Sequence, residues 1–312
     1  SRMDIKHLLV VIDPTREQQQ PALDRAASLL ERFPAARLTL MLCDYIPALD
    51  GGMLFDTAGL EKARASLLQH HHEYLEKLAA PLRAKGTEVA VTAVWGKRSD
   101  RHILREVSTC KPDLVLKATR HHNVLKRLLL TTADWQLIRH CEVPLWLVKH
   151  GDKPINRLCA SVDPLHSADK PAALDHKLIA IATSLGKTMD ATLDLVHCYT
   201  PLPRTMVFDA SVIADYEGYA RDVKQHHATA FSQLLARSAS ESAQSHLLEG
   251  DPEEALPDFL EKEKVDLLIM GAVSRSRLDS ALIGHTAERL LDSVSCDVLV
   301  IKPDGFVDPS KP

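Results

Sequence analysis

Residues 7–14 read His-Leu-Leu-Val-Val-Ile-Asp-Pro, and residues 157–164 read Arg-Leu-Cys-Ala-Ser-Val-Asp-Pro. Each is a short run of mostly apolar residues stopped by Asp-Pro. An unbroken run of this kind is the pattern of a parallel strand buried on both faces, not the alternation of a half-exposed one. After the first run, helical spacing over about 20–33 (Leu23, Ala26, Ala27, Leu30) ends at Pro34, and Leu38–Cys43 is strand-like. Gly51-Gly52 marks a loop, and a long amphipathic stretch from about 57 to 85 stops at Gly86. Strand Val89–Trp95, a helix over about 99–109, strand Asp113–Lys117, a helix over about 132–141 and strand Leu145–Val148 complete the half.

The second half repeats this plan. Leu193–His197 ends at Tyr199-Thr-Pro, matching Tyr45-Ile-Pro; Lys264–Ile269 matches Lys111–Leu116; Cys296–Lys302 matches Val143–Lys149. The offset stays at about 150–155 residues throughout, which identifies a tandem duplication. The expected boundaries are a first domain at 3–150, a linker at 151–156, a second domain at 157–303 and a tail at 304–312. Strand–helix alternation with right-handed crossovers gives each half a doubly wound, Rossmann-like α/β fold with a five-stranded parallel sheet. Such sheets bind ligands outside the carboxyl ends of the strands, where strand order reverses. That directs attention to loops 13–16 and 118–131 in the first half, and 163–167 and 271–284 in the second.

Composition narrows the function classes. The 312 residues carry 38 Lys and Arg against 42 Asp and Glu, a formal net charge of −4. That balance lacks the basic surface of a nucleic-acid binder, so no duplex DNA binding is expected. No stretch approaches the roughly 20 apolar residues of a membrane span, and no signal-peptide core is read, so no membrane partner is expected. The six cysteines are scattered without a C-x-x-C pair, which favours a reducing, cytoplasmic setting.

Val-Ile-Asp13-Pro and Ser-Val-Asp163-Pro at the first strand ends, Asp-Leu-Val-Leu-Lys-Ala at 113–118 and Asp-Leu-Leu-Ile-Met-Gly at 266–271, Thr132-Ala-Asp-Trp and Gly284-His-Thr-Ala-Glu together resemble the universal stress protein family in its tandem, E-type form. The resemblance covers about 5–303. It implies a non-catalytic role in stress and DNA-damage tolerance, exerted through small-molecule or partner binding. It also implies pairing of the two halves through their last strands, 144–149 with 297–302, as an internal pseudo-dimer, with homodimerisation of the tandem as a further form. Two alternatives stand beside it: an ATP-dependent switch or slow ATPase centred on the second half, and a carrier or sensor of an apolar-tailed metabolite.

Nucleotide-binding members of the family carry Gly-x-x-Gly, nine residues, then Gly-Ser/Thr, whose glycines let backbone N–H groups approach phosphates at a helix N-terminus. On that pattern the second half has Gly271, Ser274, Gly284 and His285, with Thr286 adjacent and Arg275 able to add charge. The first half has Ala118, His121, Thr131 and Thr132, without a glycine. The implied ligand site is therefore Asp163, Gly271, Ser274, Arg275, Gly284, His285 and Thr286, with Asp13 as the weaker first-half counterpart. The implied ligand is ATP or another adenine nucleotide in the second domain, with no cofactor certain. Asp163 reads equally as a contact to a ribose or base edge, as in the family, or as an Asx-turn or cap before proline, whereas for Asp13 the Asx-turn or cap is the favoured reading. Lys117 reads as a strand-end lysine that snorkels or pairs with an acid. His70–His72 and His226–His227 sit at similar points of the two long helices. Neighbouring helical side chains diverge by about 100°, so neither set chelates an ion alone; a solvated helix face and a zinc site between helices are the two readings, and no metal site is assigned. Gly186-Lys-Thr lacks the first glycine of a phosphate-binding loop, and residue 181 is Ile.

Overall fold

The computed structural model describes residues 3–51, 56–120, 129–165, 172–201, 215–238, 243–272 and 283–309. They form two compact units, 4–120 with 129–153, and 154–309 with residue 3.

In the first unit the strands are β1 (His7–Ile12), β2 (Arg37–Asp44), β3 (Val89–Trp95), β4 (Leu114–Ala118) and β5 (Leu145–Val148). They lie parallel in the order β3-β2-β1-β4-β5. Every residue of β1 and β5 is buried, as runs covered by helices on both faces require. The helices are α1 (Pro21–Arg32), α2 (Thr57–Ala84), α3 (Ser99–Cys110) and α4 (Thr132–His140). Pro21 opens α1, where its missing N–H costs nothing, and the helix stops ahead of Pro34 while burying Ala22, Leu23, Ala26, Leu29 and Leu30. Asp56 caps α2, its Oδ1 accepting from the Gly59 N–H at 2.7 Å, and Gly86 follows that helix at φ +94°.

The second unit has β6 (Arg157–Ser161), β7 (Thr192–Tyr199), β8 (Gln244–Glu249), β9 (Leu267–Gly271) and β10 (Asp297–Ile301), parallel in the order β8-β7-β6-β9-β10. Its described helices are α5 (Ala172–Met189), α6 (Tyr216–Arg237), α7 (Pro252–Lys262) and α8 (His285–Ser293). The doubly wound α/β fold read from the sequence is thus present in both units. Gly186-Lys-Thr lies in the last turn of α5, ahead of β7 and not in a loop that follows a strand.

The duplication extends to fine detail. Lys111 and Lys264 follow α3 and α7 in the left-handed region, at φ +46° and +53°. Just beyond, the Asp113 carboxylate accepts from the N–H groups of Lys6 and His7 at 2.8 and 3.0 Å. Asp266 does the same for Asn156 and Arg157, at 2.8 and 3.0 Å. In each unit this aspartate ties the start of the central strand to the start of its later neighbour. Arg25 reaches the His150 carbonyl at 2.7 Å, and Lys177 reaches that of Lys302 at 2.8 Å.

Candidate functional site

Strand order reverses around β1 and β4 in the first unit and around β6 and β9 in the second, so the crevice of each opens at the carboxyl ends of those strands.

In the first unit that region is occupied by the chain's own polar groups. The Asp13 carboxylate accepts from the Thr15 N–H at 2.9 Å and the Thr15 hydroxyl at 2.6 Å, and pairs with Arg16 at 3.3 Å. This is an Asx-turn. Gln20 returns to the same loop, its Oε1 accepting from the Asp13 N–H and its amide donating to the carbonyls of Asp13 and Arg16. At the far side, Thr131 caps α4 by accepting from the Asp134 N–H at 3.1 Å, while Asp134 accepts from the Thr131 N–H at 2.9 Å. Asp134 is fully buried, and Lys117 at the end of β4 donates to its other carboxylate oxygen at 2.5 Å. The start of α4 is thus capped by the chain's own carboxylate, which the Lys117 ammonium pairs.

The second unit replaces all three of these residues. At an offset of 153, Lys117, Thr131 and Asp134 correspond to Met270, Gly284 and Ala287. The start of α8 thus has an N-cap residue with no side chain and an apolar third position, with Met270 buried beneath. The N–H of Gly284 bonds to the Ala272 carbonyl at 3.0 Å. Gly284 gives this helix start no side-chain cap, and the helix dipole there favours an anion. The first-turn acid, Glu288, is exposed.

Neither glycine here is required by a positive φ. Gly284 has φ −64°, and Gly271 is absent from the positive-φ residues. A β-carbon on Gly271 would stand 2.6 Å from the Leu174 side chain, so this position is fixed by packing against α5. A β-carbon on Gly284 would meet nothing nearer than the Ala272 carbonyl at 4.0 Å. Of the other sequence-derived site residues, Asp163 is buried at the end of β6, its N–H donating to both oxygens of the buried Asp175 at 3.2 Å. His285 is exposed and Thr286 half-buried at the start of α8. Ser274 and Arg275 lie outside the described residues.

The paired histidines divide: His70, His72 and His226 are exposed, as on a solvated helix face, whereas His71 and His227 turn inward. His71 is buried and bonds to Asp44 at 2.7 Å, and His227 bonds to His197 of β7 at 2.9 Å. Each reaches its own sheet, and among the described residues no three His, Cys, Asp or Glu side chains converge as a metal site. Burial pushes the thiols of Cys43 and Cys296 up to about 12, which removes them as nucleophiles at neutral pH. Among the described residues no helix is long and apolar enough to cross a membrane.

A model of the universal stress protein family matches residues 4–149 and again 163–302. The chain belongs to the universal stress protein family. It is a tandem member of the E type. It is 30% identical over 316 residues to Universal stress protein E of Salmonella typhi, covering 97% of this chain and 96% of the relative. The E protein of Escherichia coli K12 is 29% identical over the same length. Among solved structures, a universal stress protein of Pseudomonas aeruginosa UCBPP-PA14 superimposes with a TM-score of 0.71 at 26% identity, covering 97% of this chain and 95% of that one.

Proposed function

We propose that this universal stress protein acts in stress tolerance as a non-catalytic binder of an anionic small molecule, an adenine nucleotide in the first instance, through its second unit alone. The observation that carries this reading is the concerted difference between Lys117, Thr131 and Asp134 and their counterparts Met270, Gly284 and Ala287. The first unit meets its helix dipole with its own carboxylate and neutralises that carboxylate with its own lysine. The second unit offers a helix start and two glycines, with Asp163 across the crevice.

Calorimetric titration of the full chain with ATP tests this. Binding at one site per chain is expected. Building the first unit's arrangement into the second (Met270→Lys, Gly284→Thr, Ala287→Asp) weakens it at least tenfold, since about 1.4 kcal/mol is one decade and a charge-assisted hydrogen bond contributes about that much or more. Undiminished binding in the triple variant, or two equal sites per chain, would overturn the assignment to the second unit.

A further inference from the structure

His227 is held in a way the ligand reading leaves unused. His197, only 1% exposed, lies with Nδ1 at 3.1 Å from the Val162 carbonyl and Nε2 at 2.9 Å from Nδ1 of His227. The two rings stack at 5.1 Å, and the Tyr199 ring lies 5.3 Å from that of His227. A carbonyl only accepts, so the proton of His197 is on Nδ1. With a single proton on the ring, Nε2 is bare and accepts the Nδ1–H of His227. His227 is thereby left with its lone pair on Nε2, on the side of the ring turned away from His197. Among the described residues nothing hydrogen-bonds to that nitrogen, and the ring is half-buried. Burial and the neighbouring His226 lower the pKa of His227, while Asp163 raises it, and the net shift is downward. The imidazole is therefore neutral at pH 7.

The pair stands at the carboxyl ends of β6 and β7, on the same rim as Asp163. The bare imidazole nitrogen accepts, so this part of the rim is complementary to a donor. We propose that His227 recognises a hydrogen-bond donor of the bound ligand, an amino or hydroxyl group, through Nε2, with His197 as the positioning residue that keeps that nitrogen bare. The proposal rests on the reading of this crevice as a nucleotide site.

The test compares ATP with ITP, in which a carbonyl replaces the exocyclic amine, and with 2′-deoxy-ATP and 3′-deoxy-ATP, each lacking one hydroxyl. The full chain should bind ATP about tenfold more tightly than whichever analogue lacks the donor, the worth of one buried hydrogen bond. His227→Ala should bind all four alike. His197→Phe, which keeps a ring but no acceptor, should narrow the preference without abolishing binding. Nitrogen-15 spectra of the unliganded protein at pH 7 should show both residues protonated on Nδ1 and bare on Nε2. Equal affinity for the four nucleotides, a preference that survives in His227→Ala, or a His227 protonated on Nε2 would overturn the proposal while leaving the nucleotide site standing. Failure to bind any of the four would overturn both.

Discussion

At Thr131–Asp134 and at Gly284–Ala287 the same helix start is built twice, and the two versions solve one electrostatic problem differently. Every helix start carries a partial positive charge on unpaired N–H groups. The first unit meets it internally, with a capping box whose aspartate is buried and paired to Lys117. The second has glycine at the N-cap and no side-chain cap among the described residues. Three differences at one strand end and one helix start thus separate a capped helix start from one without a side-chain cap. They form a consistent set: an aspartate alone would be a buried uncompensated charge, and a lysine alone likewise.

That interdependence gives the largest expected effect. Asp134→Ala strands the Lys117 ammonium and removes the cap, and should lower the stability of the first unit by about 3–5 kcal/mol in urea or guanidinium unfolding. Adding Lys117→Met, which reproduces the residues of the second unit, should recover most of the loss. A single variant as stable as the parent would mean that the pair is incidental. A smaller effect is expected in the opposite direction at the other helix. Ser274→Gly with His285→Ser, restoring the family pattern, should raise ATP affinity about tenfold, or 1.4 kcal/mol. Ala118→Gly should change nothing, because Asp134 still occupies that helix start; calorimetry on the three proteins decides it.

The smallest effect separates the units by pH. His7 and Thr39 stand in the first unit where Arg157 and Asp194 stand in the second. Burial, helped by Arg37, holds the pKa of His7 below the ordinary 6.5. Between its lowered value and 6.5 the unfolded chain therefore takes up a proton that the folded chain refuses, and stability falls with acidification below about 6.5. At Asp194, burial opposes ionisation, but Arg157 and His246 outweigh it and lower the pKa beneath 3.8. Its contribution is present above 3.8 and is lost only as pH falls through the lowered value. Unfolding measured between pH 7 and pH 5 should show a loss that His7→Leu reduces, whereas substituting Asp194 leaves that slope unchanged.

Much of this architecture is legible in the sequence, because a strand covered on both faces must be apolar throughout and the duplication shows each such run twice. The edge strand Gln244–Glu249 is the element the runs do not disclose: only its middle residues are half-buried, so its composition is mixed. The site is less legible. Lys117 invites pairing with an acid, but the partner lies in another element. Thr131-x-x-Asp134 ahead of a helix was the available signal, a capping-box spacing that names the residue able to occupy the helix start. The His197–His227 pair leaves no such trace, since its members lie on a strand and a helix 30 residues apart and meet only through the crossover. Glycine was legible in position but not in reason, since Gly271 avoids Leu174 rather than adopting an unusual backbone.

The aspartate clamps at Asp113 and Asp266 bear on how the chain is made. β1 is central in its sheet, yet it leaves the ribosome before the other four strands of its unit, and only β2 follows closely. Its other neighbour, Leu114–Ala118, and the carboxylate that secures Lys6 and His7 are synthesised roughly seventy residues after β2 ends. At about 5–20 residues per second this leaves an apolar strand with one open edge for several seconds or more. The second unit repeats the sequence of events with β6, β9 and Asp266. A nascent chain thus passes twice through an interval in which it is open to chaperone capture or strand-to-strand aggregation, and each interval closes when its aspartate emerges.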